Sequence, residues 1–210
     1  MFLGPSGVTY EELPPPPALR PWVAVVWRLR AQVAHDLRVL PDGCMDLIGG
    51  DVVGSLSAPL VGRLQAGEVT QGVRFHPGGF PALFGVPASE LVDQRVPIRD
   101  VRRDFRSLLD LTREADRPDP LARAAYQARE VWVLARDAGY SDRQLRRRVL
   151  EATGHSPKRL MRIGRMQRVL RAGRGESWAR TAAEHGYYDE AHLANDVSEL
   201  AGATPHQLLG

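Results

Sequence analysis

The sequence predicts an α+β chain: a small β-rich N-terminal domain of barrel or sandwich type, then an all-α domain of two helix-turn-helix units. Three observations carry this. The C-terminal half repeats itself, because Ala135, Gly139-Tyr140, Leu145, Val149, Gly154 and Ser156-Pro157 recur as Ala182, Gly186-Tyr187, Leu193, Val197, Gly202 and Thr204-Pro205, with one extra residue between glycine and leucine. The N-terminal half instead shows short β-like runs punctuated by Gly and Pro. Charge divides the chain in the same place: residues 1–117 carry thirteen Arg against fourteen acidic residues, whereas residues 118–210 carry fifteen Lys and Arg against eleven. A length of 210 residues suffices for two small cores, and the boundary is placed between 1–117 and 118–210.

Leu13-Pro14-Pro15-Pro16-Pro17 reads as an extended, stiff lead-in. Residues 22–31 alternate as a strand, with Val23, Val25, Trp27 and Leu29 on one side. Further strands are expected at 37–40, 45–48, 60–64 and 68–75, separated by turns such as Pro41-Asp42-Gly43, Gly49-Gly50 and His76-Pro77-Gly78-Gly79. Ile98, Val101, Phe105, Leu108 and Leu109, with Arg102, Arg103 and Arg106 between them, predict one amphipathic helix leaving the β region. Asp116-Arg117-Pro118-Asp119-Pro120 is the linker.

Helices are then expected at 120–128, 130–138, 142–151, 157–172, 176–185 and 190–200. In each repeat unit a glycine able to adopt the left-handed conformation closes the first helix, a polar residue caps the second, and an apolar pair four apart is buried. The caps are Ser141 or Asp142 in the first unit and Asp189 in the second; the pairs are Leu145/Val149 and Leu193/Val197. Ser156 as N-cap and Pro157 at the first helical position start the long helix that joins the units. Trp132 and Trp178 occupy matching places and are expected in the core.

A single cysteine, Cys44, excludes a disulfide framework and a multi-cysteine zinc site within the chain. Met1–Tyr10 lacks a basic stretch followed by an apolar one, and no eighteen apolar residues run together, so a cytoplasmic protein with no membrane segment is expected. Lys158 is the only lysine among 28 basic residues, a usage that points to a GC-rich bacterial genome. Cys44, His35, His76 and Asp46 show no ligand spacing, and neither metal nor cofactor is expected. His155, His185, His192 and His206 sit at turns or helix faces, where packing or capping accounts for them.

In the first unit's second helix, Leu145 and Val149 point inward and Arg143, Arg146 and Arg147 fall on the outward arc. Paired Arg donors match O6 and N7 of guanine, so such an arc suits the major groove. From Ser141 to Arg171 the net charge is +8; from Glu176 to Leu200 it is −5. The second copy therefore shares the scaffold but lacks the generic attraction to phosphate.

This arrangement resembles the AraC/XylS family of bacterial transcription regulators over residues 119–209. The resemblance rests on Gly139-Tyr140-Ser141, Leu145-Arg146-Arg147, Gly154-His155-Ser156-Pro157, Arg162-Ile163-Gly164-Arg165 and Gly202-Ala203-Thr204-Pro205. It implies binding of double-stranded DNA, with the two recognition helices in successive major grooves. The implied contact residues are Ser141, Arg143, Gln144, Arg146 and Arg147 in the first unit, with Glu190, His192, Ala194 and Asn195 at the equivalent places in the second. The chain departs from the family at Asn195 and Val197, where Arg and Phe are usual, so the first unit is expected to anchor and the second to read weakly or to dock a partner such as RNA polymerase. The front half resembles a poorly characterised β-rich domain carried by some of these regulators, on the strength of Val39–Leu47 and Gly72–Gly78. It is expected to sense a small-molecule effector or to form a homodimer. Trp22, Trp27, Phe75, Phe80 and Phe84 line a pocket for such an effector or, as the favoured reading, pack the core. The chain is not expected to be an enzyme. The rival is a DNA-repair alkyl transferase built on the same DNA-binding domain, which requires a reactive Cys44.

Overall fold

A computed structural model describes residues 7–173, 175 and 177–209. The front region holds strands β1 (Val8–Leu13), β2 (Val23–Ala31), β3 (His35–Val39), β4 (Asp46–Ile48), β5 (Asp51–Val53), β6 (Leu60–Leu64) and β7 (Val69–Phe75), helix α1 (Gly79–Phe84), strand β8 (Arg95–Pro97) and short helices α2 (Ile98–Val101) and α3 (Leu108–Leu111). Six strands form one antiparallel sheet in the order β1-β2-β7-β4-β5-β8, and β3 pairs with β6 in a separate ribbon. β1 and β8 remain edges, so the β-rich region is an open sheet with a ribbon and not a closed barrel.

Alternation along β2 sends Trp27, Leu29 and Ala31 inward and leaves Arg28 and Arg30 outside. A register shift between Val23 and Val25 accompanies burial of both Trp22 and Val23 at the strand's start. The core beside this sheet is aromatic: Phe80 stacks on Phe84 with centroids 4.2 Å apart, and Phe75 meets Phe80 edge-on at 5.4 Å. Trp22, Trp27, Phe75, Phe80 and Phe84 are all buried, so these rings fill the interior as core. The single helix expected over 98–109 is corrected to two short ones. Arg102 is extended, Ser107 accepts a hydrogen bond from the Asp110 N–H (3.3 Å) and starts a new helix, and Phe105 stacks on Phe84 at 5.9 Å from between them.

The C-terminal helices are α4 (Pro120–Gln127), α5 (Val131–Asp137), α6 (Asp142–Thr153), α7 (Pro157–Ala172), α8 (Trp178–Glu184), α9 (Glu190–Ala201) and α10 (Pro205–Leu209). The expected start of α8 at Glu176 lies outside the described residues. Gly139 (φ 68°) and Gly186 (φ 77°) take the left-handed conformation at the two turns, which is why glycine recurs there. Side-chain caps begin α6 at Ser141, α7 at Ser156, α8 at Ser177 and α9 at Asp189.

Helix α7 belongs to both units. Its Leu160 joins Leu121, Ala125, Ala135, Leu145 and Val149, while Ile163, Met166, Val169 and Leu170 join Ala182, Tyr187, Leu193, Val197 and Leu200. Trp178 packs partly against the second cluster, but Trp132 is corrected: it is 58% exposed, with the Arg136 guanidinium 5.2 Å from its ring. α5 has only seven residues, and Val131, Leu134 and Ala135 already fill its inner face.

The front region is also bound to these helices beyond the linker. Gln167 Nε2 donates to the Pro41 carbonyl (2.8 Å), Ser55 Oγ to the Thr153 carbonyl (2.8 Å), and Arg159 to the Ser57 carbonyl. Arg38 Nη1 donates to the Ala201 carbonyl at 3.2 Å. Gly43 (φ 71°) comes so close to α7 that a Cβ there would lie 2.6 Å from Leu160 Cδ1.

Candidate nucleic-acid interface

The first recognition helix is held at its N terminus by a complete capping box. Ser141 Oγ accepts from the Gln144 N–H, and Gln144 Oε1 accepts from the Ser141 N–H at 3.0 Å. Both expected contact residues are thus exposed but engaged in fixing the helix end. Arg143, Arg146 and Arg147 follow on the exposed arc opposite Leu145 and Val149, which are fully buried. No described residue forms an ion pair or hydrogen bond with any of the three side chains. Arg148 differs: it pairs with Asp119 (2.9 Å), donates to the Tyr140 hydroxyl and lies over the Tyr140 ring at 4.8 Å, tying α6 to the linker.

In the second unit, Asp189 Oδ1 accepts from the His192 N–H (2.7 Å), and His192 Nδ1 accepts from the Tyr188 N–H (3.2 Å). Glu190, His192 and Asn195 are exposed on α9, and Ala194 is half-buried; His192 and Asn195 share the arc opposite the buried Leu193 and Val197, while Glu190 stands at the first turn. Tyr188 is a residue that sequence reasoning missed. It is the extra residue of the second turn, and it stands 92% exposed at the mouth of the recognition helix. The one-residue difference between the repeats was the visible signal.

The charge contrast read from composition needs correction. The Asp196 side chain is 4% exposed, with Oδ1 2.5 Å from Arg162 Nε and Oδ2 3.1 Å from Arg165 Nη2. Glu199 Oε2 lies 2.6 Å from Arg162 Nη2. Hydrogen bonding and proximity to Arg162 hold the Glu199 carboxyl below its usual range, and the Glu199 and Asp196 bonds raise Arg162 in turn. Two of the ten cations behind the +8, Arg162 and Arg165, and two of the six acids behind the −5, Asp196 and Glu199, are therefore one set of bonds between α7 and α9. Arg168 and Arg159 are likewise turned to backbone carbonyls, of Tyr126 and Ser57. Lys158 stays exposed and unpaired among the described residues.

Cys44 does not have the setting of a nucleophile. Burial pushes its thiol up, Asp42 adds to this, and the Sγ–H points to the Asp42 carbonyl (3.7 Å). Among the described residues no three His, Cys, Asp or Glu are grouped to hold a metal ion, and no helix is long and apolar enough to cross a membrane.

Residues 134–210 match the model of a family described as "Helix-turn-helix domain". The C-terminal region is an AraC-type helix-turn-helix domain. Such domains are the DNA-binding parts of transcription regulators. Residues 11–97 match a "Domain of unknown function (DUF6597)", so the AraC-type domain here follows a second recognised unit. No curated protein matches the sequence. Among solved structures, ToxT from Vibrio cholerae O395 aligns with 98% of this chain and 98% of its own at 9% identity, TM-score 0.43. A structure of ToxT from Vibrio cholerae strain SCE256 with an unsaturated fatty acid bound aligns with 100% of this chain and 97% of its own at 8% identity, TM-score 0.41. That likeness is too remote to transfer the role of any residue.

Proposed function

We propose that this chain is a transcription regulator that binds double-stranded DNA sequence-specifically through residues 118–210, with α6 as its main anchor. One observation carries the reading: three exposed guanidinium groups, those of Arg143, Arg146 and Arg147, unpaired among the described residues, share one arc of a helix whose start is locked by Ser141 and Gln144. A rigid helix end presenting Arg side chains fits the major groove, where bidentate pairing to guanine gives about 1–3 kcal/mol of discrimination.

The second unit adds neutral and acidic contacts. Asn195 suits the N6 and N7 edge of adenine, Glu190 suits the N4 amine of cytosine, and Tyr188 and His192 stand at the entrance of the helix. With few free cations, this unit binds weakly unless the first unit holds it in place. Docking of RNA polymerase loses ground as the second unit's main role, because Asp196 is buried and Glu199 is already paired. Residues 1–117 serve as the regulatory half, through a small-molecule effector or a homodimer, and the protein works in the cytoplasm, where operator DNA lies.

The test is selection of bound fragments from the organism's genome, followed by binding of Arg146→Ala to the selected site. The expected loss is roughly five- to 150-fold, with relaxed preference at one or two base pairs. Unchanged affinity and preference would overturn the assignment of α6.

A further inference from the structure

We propose that Arg162, Arg165 and Asp196 are positioning residues that set the spacing between the two DNA half-sites; this rests on the reading that both recognition helices touch DNA.

Helix α7 carries both recognition helices. Its first turns hold α6 through Leu160, Leu145 and Val149, and its later turns hold α9 through Ile163, Met166, Leu193 and Val197. Apolar contact of this kind is non-directional and by itself leaves two helices a range of packing angles. What removes that freedom on the α9 side is a set of directional bonds. Arg162 and Arg165, three residues apart, lie on one face of α7 and take one oxygen each of the buried Asp196 carboxylate. Arg162 also grips Glu199, one turn further along α9. Arg165 reaches beyond α9 to the turn itself, donating to the Gly186 carbonyl (3.1 Å) and lying 4.1 Å from the Tyr187 ring centroid.

Four places on the second unit are thus pinned to two guanidiniums. Rolling α9 by one ridge would leave a buried carboxylate unpaired, which is costly, whereas the intact network adds little net stability. Buried ionic groups with that balance act on geometry more than on stability. Here the geometry is the distance and rotation between α6 and α9. On B-DNA one added base pair shifts a half-site by about 3.4 Å and turns it by about 34°, so a stiff pair of heads tolerates one spacing and a loose pair tolerates several.

The probe is a set of duplexes carrying both half-sites selected by the wild-type protein, with the spacer shortened or lengthened by one and two base pairs, plus a duplex carrying the first half-site alone. Wild type should prefer one spacing over its neighbours by roughly five- to 150-fold, the usual cost of one misplaced base contact. Arg165→Met, and Arg162→Met combined with Asp196→Leu, should bind the single half-site like wild type, which also reports that they fold. Their preference among spacers should shrink to about threefold or less, a factor equivalent to under 1 kcal/mol. Equal weakening at every spacer, with the preference kept, would overturn the proposal and leave these residues a structural role. A wild-type protein with no second half-site would overturn the two-headed reading itself, and the spacing proposal with it.

Discussion

The ion pairing within the helical region makes a sharp prediction about salt. Ten basic residues lie between Ser141 and Arg171. If all ten met phosphate, log K would fall against log salt with a slope of about −9, and binding would weaken more than about 10⁵-fold between 50 and 200 mM. The structure commits most of them elsewhere. Arg162 and Arg165 serve Asp196 and Glu199, Arg148 serves Asp119, and Arg159 and Arg168 serve backbone carbonyls. The Arg171 guanidinium faces the Tyr126 hydroxyl, opposing the rise that burial imposes on it. Arg143, Arg146, Arg147 and Lys158 are left without a partner among the described residues. Four released counterions give a slope of about −3.6 and a loss of about 150-fold over the same range. Fluorescence anisotropy on the selected duplex at five or six salt concentrations measures it, and Lys158→Ala, at the one of these four cations not assigned to a base, should reduce the slope by about 0.9. A slope near −9 would refute the reasoning, since it would mean that the paired arginines leave their partners for DNA.

Two further outcomes follow from the joint between the regions. Gly43→Ala puts a methyl group against the fully buried Leu160 and forces a left-handed conformation on an alanine, so stability should fall by about 2–5 kcal/mol from strain plus overpacking; denaturant unfolding within 0.5 kcal/mol of wild type would exclude a close seat there. His155 is buried where α6 meets α7, and burial first, then the Arg159 guanidinium, push its imidazole down to about 4 against opposing effects of Asp93 and Asp42. The unfolded chain takes up this proton near pH 6.5 and the folded one does not, so stability is intact above 6.5 and declines as pH falls towards 4, by up to about 3 kcal/mol. His155→Leu should flatten that part of the pH–stability curve, and an unaltered slope would show that other groups set it.

The helical half was legible because its signals are local. A 3.6-residue apolar period, a capping Ser or Asp, and a glycine at each turn placed α4 to α9 within two or three residues at either end. The strands missed are those with least pattern: β1 reads VTYEEL on an exposed edge, and β5 and β8 have three residues each, too few for a period. At the interface, the outward arc of Arg143, Arg146 and Arg147 and the inward Leu145 and Val149 follow from spacing alone. The destination of Arg162 and Arg165 does not, because Asp196 lies on a different helix, and net charge counts both partners as if both were free. Nor does the exposure of Trp132, since matching places in a repeat share a backbone position and not a burial.

The two front-region phrases, Val39–Leu47 and Gly72–Gly78, gain a physical meaning from the same joint. Asp42 accepts from the Cys44 N–H (2.9 Å), Asp46 accepts from Trp27 Nε1 (2.7 Å), and Arg74 lies 3.3 Å from Asp46 and 3.4 Å from Asp42, so the 42–46 loop is bound into the sheet by charge-assisted bonds. Its other face presents the Pro41 carbonyl to Gln167 and Gly43 to Leu160, both on α7. The second phrase supplies Arg74 to that network and Phe75 to the core. A strand, a loop and the helix that carries both recognition units therefore form one stiff path, buried for much of its length. Asp42, which holds Arg74, is flanked in sequence by Pro41 and Gly43, the two residues that meet α7. The linker at 116–120 alone would let the front region tumble freely; these contacts make it part of the frame from which DNA is read.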